Sequence, residues 1–317
     1  MPEGKSMNNL TTQADGEMQA GQTRSGFVAL IGAPNAGKST LVNQLVGSKV
    51  SIVTHKVQTT RALVRGIFIE GDAQIVLVDT PGIFRPKRRL DRAMVTTAWG
   101  GAKDADIILV LLDAQGGLNE NAEALLESMK NVRQKKVLVL NKVDRVDPPV
   151  LLELAQKANE LVAFDETFMI SALTGSGCKH LAKYLAKTVE AGPWFYPEDQ
   201  ISDMPMRQLA AEVTREKLYL RLHEELPYSS TVETERWEER KDGSVRIEQV
   251  IYVERESQKK IVLGHKGETI KAIGQSARKE IGEILEQNVH LFLFVKVREN
   301  WGNDPERYRE MGLDFPT

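Results

Sequence analysis

The 317-residue chain holds one cysteine, Cys178. A disulfide within one copy is therefore excluded, and the composition fits a reducing compartment. No run approaches the roughly 18 consecutive apolar residues that a membrane-spanning helix needs. The opening stretch, residues 1–25, is polar and of mixed charge, without the apolar stretch of a secretory leader. The expectation is a disordered tail on a cytoplasmic protein. Neither sign of charge dominates: 42 Lys and Arg stand against 44 Asp and Glu, a net −2. Any nucleic-acid contact must therefore come from a local basic patch. Apolar residues make up 41% of the chain, enough for two cores at this length.

Six short apolar runs alternate with helical patterns: residues 27–32, 64–70, 74–79, 107–113, 136–141 and 167–171. Val, Ile and Leu dominate them, as in strands buried on both faces. Gly71-Asp72-Ala73 joins the second and third closely enough for a hairpin, giving one antiparallel edge. Residues 26–191 are therefore predicted to form a doubly wound α/β domain with a six-stranded, mostly parallel sheet. Residues 192–206 carry Pro193, Pro197, Glu198, Asp199 and Pro205 and read as an interdomain linker, pinned to one domain by Trp194, Phe195 and Tyr196. Over 207–300 the pattern changes to a smaller α+β unit. A long helix at 207–226 precedes strands at 230–238 and 244–254, a short helix near Gln258, a Gly-rich turn, a helix at 268–286 and a strand at 290–297. Residues 301–317 are left as a C-terminal tail.

Gly32-Ala33-Pro34-Asn35-Ala36-Gly37-Lys38-Ser39 fits GxxxxGK[ST] between a predicted strand and a predicted helix. Glycines let successive backbone N–H groups turn toward phosphate oxygens, with a helix N-terminus behind them. Lys38 brings a compact positive charge to the β- and γ-phosphates, Ser39 ligates Mg²⁺, and Thr40 lies beside them. Asp79-Thr80-Pro81-Gly82 ends a buried strand one hairpin later. There Asp79 can hold Mg²⁺ through water and the Gly82 N–H can reach a γ-phosphate, with Ile83 next in line. Asn141-Lys142-Val143-Asp144 selects the base. The Asp144 carboxylate accepts from two donors that guanine has and adenine lacks, and an unmatched buried polar group is costly. Lys142 packs along the nucleotide, and Asn141 holds the ring edge and the phosphate loop. Ser171-Ala172-Leu173 closes the pocket with a backbone N–H on guanine O6. All four motifs stand at strand ends, where open α/β sheets bind ligands. Together they indicate GTP and GDP as ligands.

Between the first two motifs, residues 54–61 read THKVQTTR, a segment whose threonine closes over Mg²⁺ and the γ-phosphate. Thr59 and Thr60 are adjacent, and Thr60 is taken as the ligand. The metal set is then Ser39, Thr60 and Asp79, and Lys38, Thr60 and Gly82 are candidate catalytic contacts. His55 reads as a surface residue. Ile83 stands where Ras-like GTPases carry a water-orienting Gln, and an alkyl chain cannot orient water, so intrinsic turnover should be slow.

GAPNAGKS, KVQTTR, VDTPGI, NKVD and SAL, in this order and spacing, resemble the Era family of GTPases. So do IVLGHKGETIKAIG and VKVRENWGNDPERYREMGL near the C-terminus. The likeness spans about residues 26–312. It implies a type II KH domain over 207–300, a monomer, binding to the 3′ region of small-subunit (16S) ribosomal RNA, and a role in 30S subunit assembly and rRNA maturation. It also implies loose association with the inner membrane. In related GTPases a phosphate-loop Asn helps bind a K⁺ ion in place of an arginine finger. Asn35 is that candidate here, with a plain turn residue as the alternative.

The α-β-β-α-α-β order agrees with that KH expectation and places Gly264-His265-Lys266-Gly267 between its two middle helices, where a GxxG turn clamps about four nucleotides. The motif is weak alone in a chain with 24 glycines. Lys259, Lys260, Lys266 and Lys271 surround it against one acid, Glu268. With Ile261, Gly264, His265, Gly267, Ile270 and Ile273 they make up the expected RNA groove. The basic run Arg85-Pro86-Lys87-Arg88-Arg89 reads as a solvated face, or else as a ribosomal or lipid-headgroup contact. A GTP-gated binding protein with incidental turnover is the rival to a hydrolytic switch.

Overall fold

The computed structural model of the chain describes residues 23–84, 86, 88–299 and 301–316. Most of the expected tail, residues 1–22, and Arg85 and Lys87 of the basic run lie outside the described residues. The first domain runs β1 (Arg24–Gly32), α1 (Lys38–Val46), β2 (Val64–Glu70), β3 (Ala73–Asp79), α2 (Arg89–Lys103), β4 (Ile107–Asp113), α3 (Glu120–Met129), β5 (Lys135–Asn141), α4 (Pro148–Leu161), β6 (Glu166–Ile170) and α5 (Cys178–Thr188). The sheet order is β2-β3-β1-β4-β5-β6, and β2 alone is antiparallel to its neighbour. Helices cover both faces. Alternate residues of each central strand enter two apolar clusters, Leu30, Leu77 and Leu109 on one side and Ile31, Val78 and Val110 on the other. Burial on both faces explains why these strands read as unbroken apolar runs. β1 starts at Arg24, inside the stretch expected to be tail. Ser25 is fixed there by its hydroxyl, which donates to Pro193 O at 2.7 Å.

The expected linker lies along the first domain. Gln74, buried in β3, accepts from the Phe195 and Tyr196 N–H groups at 2.8 and 3.0 Å and donates to Tyr196 O at 2.7 Å. Phe27 and Phe195 stack with centroids 4.8 Å apart, and Arg65 pairs with Asp203 at 2.7 Å.

The second domain contains α6 (Met206–Arg221), β7 (Ser230–Glu239), β8 (Val245–Val253), α7 (Glu256–Leu263), α8 (Glu268–Leu285), β9 (Val289–Val297) and α9 (Pro305–Glu310). Its sheet order is β7-β8-β9, antiparallel then parallel. α6 stops at Arg221, five residues before the expected end. Glu224 then takes a left-handed backbone at φ 56°, and the freed carbonyls at the helix end accept from Lys56 of the first domain, Leu222 O at 2.6 Å. A cation at a helix C-terminus is the favourable arrangement there.

The segment expected as a C-terminal tail is folded instead. Trp301, Tyr308 and Leu313 pack against Leu90, Ala93 and Met94 of α2 in one apolar cluster, with Phe84, Met311 and Phe315 at its edge. Trp301 Nε1 donates to Ser229 O at 3.0 Å, so the indole is buried without leaving its polar atom unpaired. Apolar residues spaced for one side of a short helix and turn supply the physical reason that this segment is not a tail.

Candidate nucleotide site and RNA face

Gly32 ends β1 and Lys38 starts α1, so the intervening loop carries its amides to a helix N-terminus. Gly37 sits at φ 98°, and a Cβ there would lie 2.2 Å from Asn141 Nδ2, so no other residue fits. Asn141 is 2% exposed. It donates to Ala36 O at 2.8 Å and accepts from Ala172 N at 2.9 Å, tying the phosphate loop to the loop after β6. Lys38 Nζ donates to Gly32 O and Ala33 O, both at 3.1 Å. Burial pulls its ammonium down to about 8, against the pull of Asp79.

Ser39, Thr60 and Asp79 come together. Ser39 Oγ donates to Asp79 Oδ2 at 2.6 Å and lies 2.9 Å from Thr60 Oγ1, which is itself 3.4 Å from Asp79 Oδ2. Thr59 instead turns its hydroxyl to Lys56 O and Thr54 Oγ1, both at 2.7 Å, so the geometry favours Thr60 of the adjacent pair. Asp79 is wholly buried, and its second oxygen, Oδ1, has no hydrogen-bond partner. Burial raises its carboxyl above the usual range, opposed by the Ser39 hydroxyl, Lys38, Ser51 and Thr60. A buried, unpartnered carboxylate oxygen on Asp79, whose other oxygen meets the Ser39, Ser51 and Thr60 hydroxyls, gives an all-oxygen donor set that suits a hard divalent cation such as Mg²⁺.

At the far end, the Ser171 hydroxyl holds the Asp144 carboxyl below the usual range, and Lys142 pairs with Asp113 at 2.6 Å. A cavity of about 480 Å³ joins these groups; it is lined by Asn35, Gly37, Lys38, Ser39, Thr40 and Gly82 at one end and by Lys142, Asp144, Ser171 and Leu173 at the other. That volume is ordinary for a small-molecule site. Of the expected contacts, Gly32, Ala33, Ala36, Asp79, Thr80, Pro81, Ile83 and Val143 are not on the lining. Thr80 is buried and donates to Leu30 O at 2.6 Å. Ile83 and Val143 pack against the apolar cluster of the sheet, where burial of an alkyl group is favourable. The reading missed His55, Lys56 and Arg145 as lining residues. Their isolated charges resemble any solvated side chain. Asn35, at φ 63°, donates to His55 O at 2.8 Å.

In the second domain, Gly264 turns the chain at φ 74°, and a Cβ there would meet Thr269 Oγ1 at 2.2 Å. Gly264, His265, Lys266 and Gly267 form a tight turn between α7 and α8, with Lys266 left-handed at φ 50°. His265, Lys266, Lys260 and Lys271 are exposed, Lys259 and Ile270 half-buried, and Ile261 is an exposed apolar side chain. Ile273 departs from the expectation. It is 1% exposed and packs with Leu218, Tyr219 and Val262, so it belongs to the core and not to the groove. Of the basic run, Arg88 pairs with Glu225 at 2.6 Å and Arg89 lies over the Phe315 ring at 5.0 Å. Both are committed to contacts within the molecule.

Comparison with known proteins agrees with this arrangement. A family described as 50S ribosome-binding GTPase matches residues 27–142, and the KH domain family matches residues 225–302. GTPase Era of Brucella suis biovar 1 (strain 1330) is 90% identical over 311 residues, covering 98% of this chain and 100% of the relative. GTPase Era of Mesorhizobium japonicum is 76% identical over 294 residues, 93% of this chain and 95% of the relative. Among solved structures, Era in complex with MgGDPNP and nucleotides 1506–1542 of 16S ribosomal RNA superposes with TM-score 0.87 at 38% identity, over 92% of this chain and 99% of that one. A point variant of Aquifex aeolicus Era bound to GDP·AlF4⁻ superposes with the same TM-score, identity and coverage.

Proposed function

This chain belongs to the Era family of GTPases, and from that premise we propose that GTP binding and hydrolysis control its hold on the 3′ region of small-subunit (16S) ribosomal RNA during 30S subunit assembly and rRNA maturation. The observation that carries this reading is the joining of four nucleotide motifs on one cavity in a chain that also presents an exposed, lysine-rich GxxG turn. The family description of residues 27–142 names the large subunit. The solved relative that holds small-subunit RNA matches 92% of the chain, KH domain included, and therefore weighs more for the RNA partner.

Each residue set has one task. Ser39, Thr60 and Asp79 would hold Mg²⁺, which when bound neutralises charge on the β- and γ-phosphate oxygens. Lys38 meets the same phosphates, and a phosphate beside it restores the charge that burial weakens. Asp144 and Ser171 select guanine. No described side chain after Gly82 replaces the missing Gln, since Ile83 lies in the apolar cluster, so turnover needs order or charge from elsewhere. We assign that part to K⁺. The contact of Asn35 with a carbonyl of the 54–61 segment supports it, because turning the amide would place its oxygen and a peptide oxygen around one cation. Hydrolysis is then faster in potassium than in sodium at equal ionic strength, and Asn35→Ala removes the difference. Equal rates in both salts would discard the K⁺ assignment.

Peripheral membrane association and a monomeric, cytoplasmic state complete the proposal. Among the described residues no helix is long and apolar enough to cross a membrane. The proposal as a whole is tested by gel shift of a 16S 3′-end RNA with the protein bound to GDPNP or GDP. Equal RNA affinity in both states, with no change of turnover on adding RNA, would leave a binding protein with incidental hydrolysis.

A further inference from the structure

The segment that carries Thr60 is held from outside its own domain. Arg215, on α6 of the RNA module, is 1% exposed. Its Nη2 donates to Thr59 O at 2.5 Å. On the other side of Thr60, Arg61 is 3% exposed and inserted into the module. Its Nη2 donates to the Tyr219 hydroxyl at 2.6 Å and its Nη1 to Ser230 O at 2.9 Å. Both guanidinium groups lie against the Tyr219 ring, 5.0 Å from its centroid for Arg215 and 5.7 Å for Arg61. Arg215 is fixed in turn by Glu212, which accepts from its Nε at 2.8 Å. Further back, Glu216 of α6 accepts from the Val53 N–H at 2.8 Å and pairs with Lys49 at 2.7 Å.

We propose that Arg215 and Tyr219 of the RNA module are positioning residues for GTP binding and hydrolysis: by fixing Thr59 and Arg61 they hold Thr60 at the metal site. The inference rests on the reading of Ser39, Thr60 and Asp79 as the Mg²⁺ set. Consecutive Cα atoms are about 3.8 Å apart. A residue whose two neighbours are both anchored keeps little freedom beyond its side-chain rotamer, and the Thr60 hydroxyl already faces Ser39 and Asp79. These are hydrogen bonds from charged donors on buried side chains, the strong kind. Tethering lowers the ordering cost that triphosphate and metal must otherwise meet. GDP lacks the γ-phosphate that Thr60 closes over, so it draws little benefit.

The test uses the full chain with Arg215→Met, Tyr219→Phe and Arg215→Lys. Three quantities are measured: GDPNP affinity against GDP affinity, the Mg²⁺ concentration for half-maximal GDPNP binding, and amide exchange over residues 53–62 in nucleotide-free protein. Arg215→Met weakens GDPNP binding by about ten- to a hundredfold, the range for one lost charge-assisted hydrogen bond. It raises the Mg²⁺ requirement and speeds exchange in 53–62, while exchange in β4 and β5 stays as in wild type and GDP affinity changes less than about twofold. Arg215→Lys, which keeps one charged donor, recovers part of the loss. Tyr219→Phe removes one buried hydroxyl without changing shape and gives a smaller change of the same sign; it decides the matter if Arg215→Met does not fold. Unchanged GDPNP affinity and Mg²⁺ requirement, or an equal fall for GDPNP and GDP, would overturn the inference and leave α6 a plain packing surface. Wild-type protein that binds neither nucleotide would instead sink the functional reading beneath it.

Discussion

Replacing Asn141 with Ala should separate the architecture of the nucleotide site from its reading of the base. The side chain makes two bonds to buried backbone, donating to Ala36 O at 2.8 Å and accepting from Ala172 N at 2.9 Å. Alanine leaves both groups without a partner, and each unsatisfied buried group costs about 1–3 kcal/mol. Entry of a water would recover part of that, so a loss of about 2–4 kcal/mol in nucleotide-free protein is expected. With a urea slope of about 1–3 kcal/mol per molar, the midpoint falls by about 0.7–4 M. The assay is urea unfolding of nucleotide-free full-length chain followed by circular dichroism. Asp144→Asn serves as the control, because Asp144 keeps a partly open carboxylate and bonds no distant backbone; its midpoint should move much less than that of Asn141→Ala. An Asn141→Ala midpoint within about 0.3 M of wild type would refute the claim that this side chain joins the two loops.

Asp144→Asn should still change the ligand: it loses GTP by about a hundred- to ten-thousandfold and gains xanthosine triphosphate, whose oxygen at position 2 can accept from the new amide. A nucleotide titration with unchanged GTP affinity would contradict the assignment. Replacing His265 and Lys266 with Asp puts negative charge where a sugar-phosphate chain must approach, so RNA binding weakens most at low salt. Basal turnover stays near wild type, because neither residue touches the nucleotide cavity; RNA affinity that survives intact would mean that this turn is not the clamp. Burial pushes the Cys178 thiol up to about 11, and it is the chain's one cysteine. Native protein at pH 8 should show no reaction with a disulfide reagent over minutes, and one equivalent after unfolding. Rapid labelling of native protein would show that α5 is not packed as described.

The nucleotide motifs were legible because phosphate, metal and base each demand particular residue types at short spacing, and every motif sits at the end of a readable strand. The choice between Thr59 and Thr60 needed coordinates, since adjacent residues share every local property and differ here in which way the hydroxyl turns. Ile273 was misplaced although the signal was present. With Ala277 and Ile281 it follows helical spacing on the buried side of α8, and that periodicity outweighs its nearness to the GxxG turn. The seam between domains was not legible at all. Lys49, Arg61, Arg215 and Glu216 each look like solvated charges, and the partners lie more than 150 positions apart. The expected division into a nucleotide unit and an independent RNA unit therefore needs adjustment: the GxxG turn stands apart from the nucleotide cavity, but α6 does not stand apart from Thr60.

The packing of Trp301, Tyr308 and Leu313 on α2 has a consequence for how the protein is made. Synthesis proceeds from the N-terminus at about 5–20 residues per second, and domains tend to fold as they emerge. α2 is complete long before its covering segment exists, and the roughly two hundred residues between them take about ten to forty seconds to add. Through that interval the emerging chain can carry a finished nucleotide fold with Leu90 and Met94 still open to water and Thr60 not yet tethered by α6. Residues 301–313, made long after α2, are what cover that face of the nucleotide domain.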